Sequence, residues 1–197
     1  RDSGPTVVLE EDGARLGIRW RFNAWGGKYA PCEPDHEAAR TVLRHLGIPR
    51  ADAPIVLEGG SIHTDGRGTL LTTGQCLLNP NRNPDLSRGK IEETLREFLG
   101  VKKFIWLNRG LAGDETDGHV DNIACFARPG AVLFQTCSDP ADNNYEITEE
   151  NRRILHTARD ASGRPMEVIE LPQPPARYYD GLRLTLSYIN FYLDNGG

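Results

Sequence analysis

The sequence predicts an α/β fold made by radial repetition of a small unit, and three observations carry that prediction. Three helix-like stretches recur along the chain, each is followed by a short apolar strand, and each strand leads into a hairpin or a further strand. The interval between successive units is roughly fifty residues, a period typical of radially repeated architectures. The 21 Gly and 13 Pro among 197 residues imply many turns between short elements, which favours a mixed or β-rich fold over a helical bundle.

The opening segment runs from Arg1 through Val8, turns near Asp12-Gly13 and returns over Arg15 to Phe22, as the hairpin of a preceding unit. The first helix is expected over Asp35 to Leu46, with Asp35 as N-cap, Ala38, Ala39, Val42, Leu43 and Leu46 on one face, and Gly47 as the stop. Ile55-Val56-Leu57 is the strand after it. Glu58 to His63, an Asp65-Gly66-Arg67-Gly68 turn and Thr69 to Thr72 form its hairpin. The second helix runs from Ser87 to Leu99, closed by Gly100, with Ile91, Leu95, Phe98 and Leu99 inward. Phe104 to Leu107 follows, then a hairpin from Gly118 to Phe126 that turns at Pro129-Gly130 and returns over Ala131 to Gln135. The third helix is expected from Thr148 to Ala161, followed by Val168 to Leu171 and a strand over Ser187 to Leu193.

Composition narrows the function. A net charge of −5 argues against a nucleic-acid partner, because phosphate binding relies on a surplus of Lys and Arg. It is compatible with a small cationic substrate. No apolar run approaches the ~18 residues of a membrane span, and no secretory signal opens the sequence. The four cysteines, Cys32, Cys76, Cys125 and Cys137, form no CxxC pair and read as reduced thiols of a cytoplasmic protein. The chain begins at Arg1 without Met and ends Asn195-Gly196-Gly197 after an apolar run, so both ends read as cuts and a fragment is expected.

In a radial arrangement the first residues of successive hairpins converge near one axis. Here they are Asp2, Glu58, His119 with Asp121, and Asn190. The ordinary fate of such groups is a solvated loop, but their recurrence in register favours a shared polar pocket. The densest signal is Gly113 to Asn122, four acids around one His. A calcium loop requires ligands at fixed offsets that this register does not supply. A zinc or iron site using His119 and Asp121 lacks a third ligand in the spacing, and metal-dependent hydrolysis stays the minority reading, since carboxylate–His clusters do serve metals. A metal-free reading puts both on one side of a strand, the carboxylate gripping a cation while the imidazole moves protons.

Arg1-Asp2-Ser3-Gly4-Pro5, Phe22 to Tyr29, Glu58 to His63, Asn79 to Pro84 and Gly113 to Asn122 closely resemble the agmatine deiminases, over essentially the whole chain. The resemblance implies the guanidino-group-modifying superfamily and its fold, a pentein-type five-bladed α/β propeller of which residues 1–197 supply about three blades as one partial deiminase domain. It also implies hydrolysis of agmatine to N-carbamoylputrescine and ammonia by covalent cysteine catalysis, with no cofactor and no metal. Carried onto this sequence, Asp2 and Asp121 match carboxylates that hold the guanidinium, Glu58 lies in a Glu-Gly-Gly motif lining the same pocket, and His119 matches the general acid/base. Trp25 and Asn190 fall in family motifs.

The family's nucleophilic cysteine lies in a Gly-rich motif that this sequence lacks. Cys125 is an even number of steps from His119 along the expected strand, Cys32 lies near His36, and Cys76 and Cys137 have neither a nearby His nor a helix start. All four are expected to be structural, and the chain alone inactive in turnover. Alternative readings are a peptidyl-arginine or other guanidino deiminase, or a non-catalytic guanidinium- or polyamine-binding module. An arc of three blades has apolar edges, so association into a homo-oligomer is a further expectation.

Overall fold

The computed structural model describes residues 2–191, so Arg1 of the first motif and the Tyr192–Leu193 end of the last expected strand lie outside the described residues. Strands β1 (Thr6–Leu9) and β2 (Arg15–Arg21) pair antiparallel, and β3 (Arg50–Val56) joins β2 in parallel. The pattern repeats in β4 (Ile62–Thr64), β5 (Thr69–Thr73) and β6 (Lys103–Leu107), and again in β7 (Ala124–Arg128), β8 (Ala131–Thr136) and β9 (Glu167–Pro172). Parallel neighbours require a crossover. Helices Glu33–Leu46, Arg88–Leu99 and Asn144–Thr157 provide one each. The repeating unit is therefore a hairpin, a helix and a strand, and three such units are present, in agreement with the three blades expected of an α/β propeller.

The middle blade holds the others together. Side chains alternate across a strand, so adjacent Leu70 and Leu71 of β5 face opposite ways. Leu70 packs with Ile18, Ile55, Leu57 and Leu95 in one core, and Leu71 with Leu107, Val120, Phe126 and Phe134 in another. All five residues of β5 are buried for this reason.

Ser87 caps its helix by accepting the Lys90 N–H, and Gly47 and Gly100 close theirs in the left-handed conformation, as the sequence predicts. Other expectations need correction. The first helix starts at Glu33 with Pro34 in its first turn, so Asp35 lies inside that turn and is not the cap. Of its apolar face only Ala39 and Leu43 are buried, while Val42 and Leu46 are exposed. The third helix begins at Asn144, whose N–H is accepted by Asp142. Thr148 is thus interior, buried, and accepts the Cys137 N–H at 3.0 Å. Residues Ser187–Phe191 are not a strand, because among the described residues no strand lies alongside to pair their backbone. A hairpin that the sequence reading did not anticipate joins β10 (Tyr178–Tyr179) to β11 (Leu182–Arg183) around Asp180-Gly181, both at positive φ. No helix among the described residues is long and apolar enough to cross a membrane.

Phe134 is among the largest fully buried side chains and belongs to the core shared by the second and third blades. Phe134→Ala is expected to lower unfolding free energy by about 3–5 kcal/mol. Denaturant titration checks this, and a loss under about 1 kcal/mol, the scale of an ordinary surface substitution, would contradict the packing described.

Candidate active site

The first residues of the hairpins do converge. The Gly60 N–H donates to Asp2 Oδ1 at 2.8 Å, linking the approach to β1 with the turn before β4. His119 comes from the approach to β7, with Nδ1 3.9 Å from Asp2 Oδ2 and Nε2 3.8 Å from Glu58 Oε2. Asn190 donates to Asn122 Oδ1 at 2.9 Å. Glycine is required where these segments meet. A methyl group on Gly60 would stand 2.5 Å from His119 Nδ1 and 2.6 Å from Asp121 Oδ2. The second Gly of the Glu-Gly-Gly motif therefore lets the imidazole and the carboxylate approach its backbone.

His119 and Asp121 are 2% and 4% exposed. The expectation that they share one face of a strand is corrected: Val120–Asn122 form a 3₁₀ turn, and β7 begins only at Ala124. Asp114 sets this turn. Its Oδ2 accepts the His119 N–H at 3.1 Å while its Oδ1 accepts the N–H and hydroxyl of Thr116. His119 Nε2 is buried with no hydrogen-bond partner among the described residues.

Trp25 reaches the site through a left-handed turn. Ala24, Trp25, Gly26 and Gly27 all have positive φ. For Ala and Trp this costs of order 1–3 kcal/mol each, so the surroundings must enforce it. Asn23 does so in part, accepting the Gly26 N–H and donating to Asn81 O at 2.8 Å. The result aims Trp25 Nε1 at Asp2 Oδ2, 3.0 Å away, with the Phe22 ring edge-on at 5.2 Å.

Asp2, Trp25, Asp121 and Asn190 line one cavity of about 350 Å³, together with Ser3, Phe22 and Asp35. Glu58, expected to line the same pocket, is fully buried behind His119, because Arg82 draws it inward through an Nε–Oε1 contact of 2.7 Å. Arg82 is the main residue missed. Besides Glu58 it donates to Asn81 Oδ1, to Asp117 Oδ2 at 2.5 Å and to Thr116 O at 2.8 Å. Burial alone would lower its pKa, but Glu58, then Cys76 and Asp117, raise it above the ordinary guanidinium value. Burial likewise opposes ionisation of Asp117, yet Lys28, Asn81 and Arg82 hold its carboxyl below the usual range. The available signal was the Asn79-Pro80-Asn81-Arg82-Asn83-Pro84 string, which carries Arg82 and Asn81 together.

Cys76 also departs from expectation. It sits in a short helix, Gly74–Leu77, and its N–H is accepted by Thr73 Oγ1. Its Sγ is 3.9 Å from Glu58 Oε2, and donor atoms of Glu58, Cys76 and His119 lie within 4.8 Å of one another. Those three could in geometry surround a metal ion. Arg82 already neutralises Glu58, and burial followed by the Glu58 charge pushes the Cys76 thiol far up, so the local electrostatics suit a carboxylate–guanidinium pair. Cys32 Sγ lies 3.5 Å from His36, as the sequence anticipates. Cys125 and Cys137 are buried, and the 3₁₀ turn breaks the continuous strand that would have aligned Cys125 with His119.

Known proteins resemble this chain over its whole length. The family model described as Porphyromonas-type peptidyl-arginine deiminase matches residues 1–197. A Legionella pneumophila protein named "Putative agmatine deiminase" is 50% identical over 197 residues, covering 100% of this chain and 57% of its own length. Among solved structures, the agmatine deiminase of Enterococcus faecalis superposes with a TM-score of 0.91 at 36% identity, covering 97% of this chain and 58% of that one. A substrate-bound agmatine deiminase of C. jejuni gives 0.89 at 34%, covering 99% and 57%. The chain thus spans a little over half the length of the relatives it matches.

Two outcomes follow from the buried network. Arg82→Met leaves Glu58 as an uncompensated buried charge and is expected to cost about 3–5 kcal/mol, with Glu58→Gln/Arg82→Met losing less than Arg82→Met alone. Urea titration decides it; a loss of only about 0–1 kcal/mol would mean the pair behaves as a surface contact. In native protein at pH 8, iodoacetamide is expected to label Cys32 and spare Cys76 until denaturant is added. Mass spectrometry showing early Cys76 labelling would refute its assignment as a buried neutral thiol.

Proposed function

The chain belongs to the Porphyromonas-type peptidyl-arginine deiminase family, and on that premise we propose that the complete protein carrying it hydrolyses agmatine to N-carbamoylputrescine and ammonia. The observation that carries this reading is the placement of Asp2 and Asp121 around the Gly60 backbone with His119 between them and Glu58. A guanidinium is planar and protonated far above neutral pH, so paired carboxylates are its natural receptor.

In the proposed reaction Asp2 and Asp121 accept the guanidinium N–H groups and fix its plane. Asp2 is itself fixed by Trp25 Nε1 and the Gly60 N–H, so it receives the substrate in one orientation. A cysteine thiolate attacks the central carbon, forming a C–S bond and a tetrahedral intermediate. His119 gives a proton to the departing nitrogen, which leaves as ammonia. It then takes a proton from the water that attacks the remaining amidine carbon, and the C–S bond breaks to release the carbamoyl product. Glu58, behind Nε2, positions the imidazole.

The thiolate is proposed to come from the part of the relatives that this chain does not span. Cys76 Sγ lies within 4.8 Å of a His119 ring nitrogen, and its raised pKa and complete burial support assigning the nucleophile elsewhere. Agmatine is favoured over a carboxylate-bearing substrate by the names of the relatives and by three carboxylates in the cavity wall, with no Arg or Lys among its described lining residues. A cytoplasmic setting and self-association are part of the same reading, supported by four cysteines outside any disulfide and by exposed Val7 and Leu9 on the β1 edge.

Ammonia release from agmatine by the complete protein tests the proposal. His119→Ala is expected to lower turnover by about 10²- to 10⁴-fold while circular dichroism and melting temperature stay near wild type. Agmatine binding without ammonia release in the wild type would instead favour a non-catalytic guanidinium module.

A further inference from the structure

The cavity has a third carboxylate that the guanidinium chemistry does not use. Asp35 lines it with Asp2, Phe22, Trp25 and Asp121, yet comes from a different kind of element, the first turn of the helix Glu33–Leu46. Asp2 and Asp121 meet at the Gly60 backbone, beside His119. The Asp35 carboxylate accepts no hydrogen bond and pairs with no cation among the described residues, whereas the other acids in the Arg82 network are engaged. Three residues before it, Cys32 occupies the N-cap without a side-chain capping bond, so the helix end itself stabilises a negative charge at this position. The Phe22 and Trp25 rings, packed edge to face, line the same cavity as these acids.

Carboxylates and aromatic rings in one lining match the chemistry of a molecule with two positive ends and an apolar middle. A cavity of about 350 Å³ is of ligand size. We infer that Asp35 determines the substrate class, binding the distal ammonium of an ω-guanidino amine while Asp2 and Asp121 hold its guanidinium. The inference rests on the reading of the site as a guanidine receptor and extends it to the opposite end of the substrate. The aromatic walls cover the methylene chain, and Asp35 repels an α-carboxylate carried on the same carbon as the amine. Discrimination by an opposing charge in this way is a form of selection against the wrong substrate.

The test compares agmatine, n-butylguanidine, which lacks the distal amine, and arginine in the complete protein. Asp35→Asn is expected to raise KM for agmatine roughly ten- to a hundredfold with kcat little changed, the scale of one charge-assisted contact. The same variant is expected to leave kcat/KM for butylguanidine within about twofold and to narrow the preference for agmatine over arginine, since only uniform binding of the amine is lost. Asp35→Glu is expected to recover part of the agmatine KM. Equal losses on agmatine and butylguanidine would overturn the inference, since a merely structural role affects both alike. If the wild type turns over neither guanidine, the reading as a deiminase fails by itself. Calorimetry then decides Asp35: weaker binding of agmatine alone in Asp35→Asn sustains the assignment, and unchanged or equally weakened binding of both compounds removes it.

Discussion

One buried cation organises this part of the molecule. Arg82 lies in the loop after the second hairpin, and its guanidinium joins Glu58 of the same blade to Thr116 and Asp117 in the loop that leads to the third. Asp117 in turn accepts from Lys28 at 2.6 Å and from Asn81 at 3.0 Å, and Asn81 O receives Asn23. Three blades are therefore tied through one set of charge-assisted bonds. Burying such a group is costly unless every partner is in place, which gives the network its all-or-none character. His119 is attached to this network at both ends: Asp114 and Thr116 hold its backbone, and Glu58 stands behind its ring.

The fold was largely legible because its signals are local. Ser87 and Gly100 bracket the second helix, Gly47 ends the first, and the Asp65-Gly66-Arg67-Gly68 turn reverses β4 into β5, all from chemistry within a few residues. Boundaries failed where tertiary contacts replaced local ones. Thr148 resembles a cap in sequence, but it is buried and its hydroxyl serves Cys137, while Asp142 starts the helix four residues earlier than expected. His119 and Asp121 stood out as candidates because they recur in register with Asp2 and Glu58. Their local conformation was not, because the 3₁₀ turn is imposed by Asp114 and by the close approach of Gly60.

Arg82 and Cys76 were invisible for a related reason. Arg82 meets its partners 24 and 35 residues away, and Cys76 comes beside His119 only once the second and third blades pack. No periodicity or spacing within a helix or strand encodes such distances. The resemblance did contain the clue, because the string from Asn79 to Pro84 was among the residues that carried it, although it attached no role to Arg82. Asp35 illustrates the converse. Its sequence context, an acid just inside a helix start, fits a cap so well that its exposure to the cavity shows only in three dimensions.

The site thus contains one guanidinium of its own beside the place proposed for another. What keeps Arg82 from occupying the substrate's position is saturation. Four hydrogen bonds from Nε, Nη1 and Nη2 go to Glu58, Asn81, Thr116 and Asp117, and turning toward Asp2 would break them in a setting where water cannot replace them. Glu58 is neutralised by the same contacts, so it adds little negative potential of its own at the cavity. Asp2 and Asp121 are left as the acids nearest His119 on the cavity wall, with Asp2 already oriented by Trp25 and Gly60. In the proposed reaction an external guanidinium would meet carboxylates already desolvated and oriented by folding, and preorganisation of this kind is usually the largest single term in catalysis. The left-handed backbone at Ala24 and Trp25 belongs to the same proposal, since it aims the Trp25 N–H that holds Asp2.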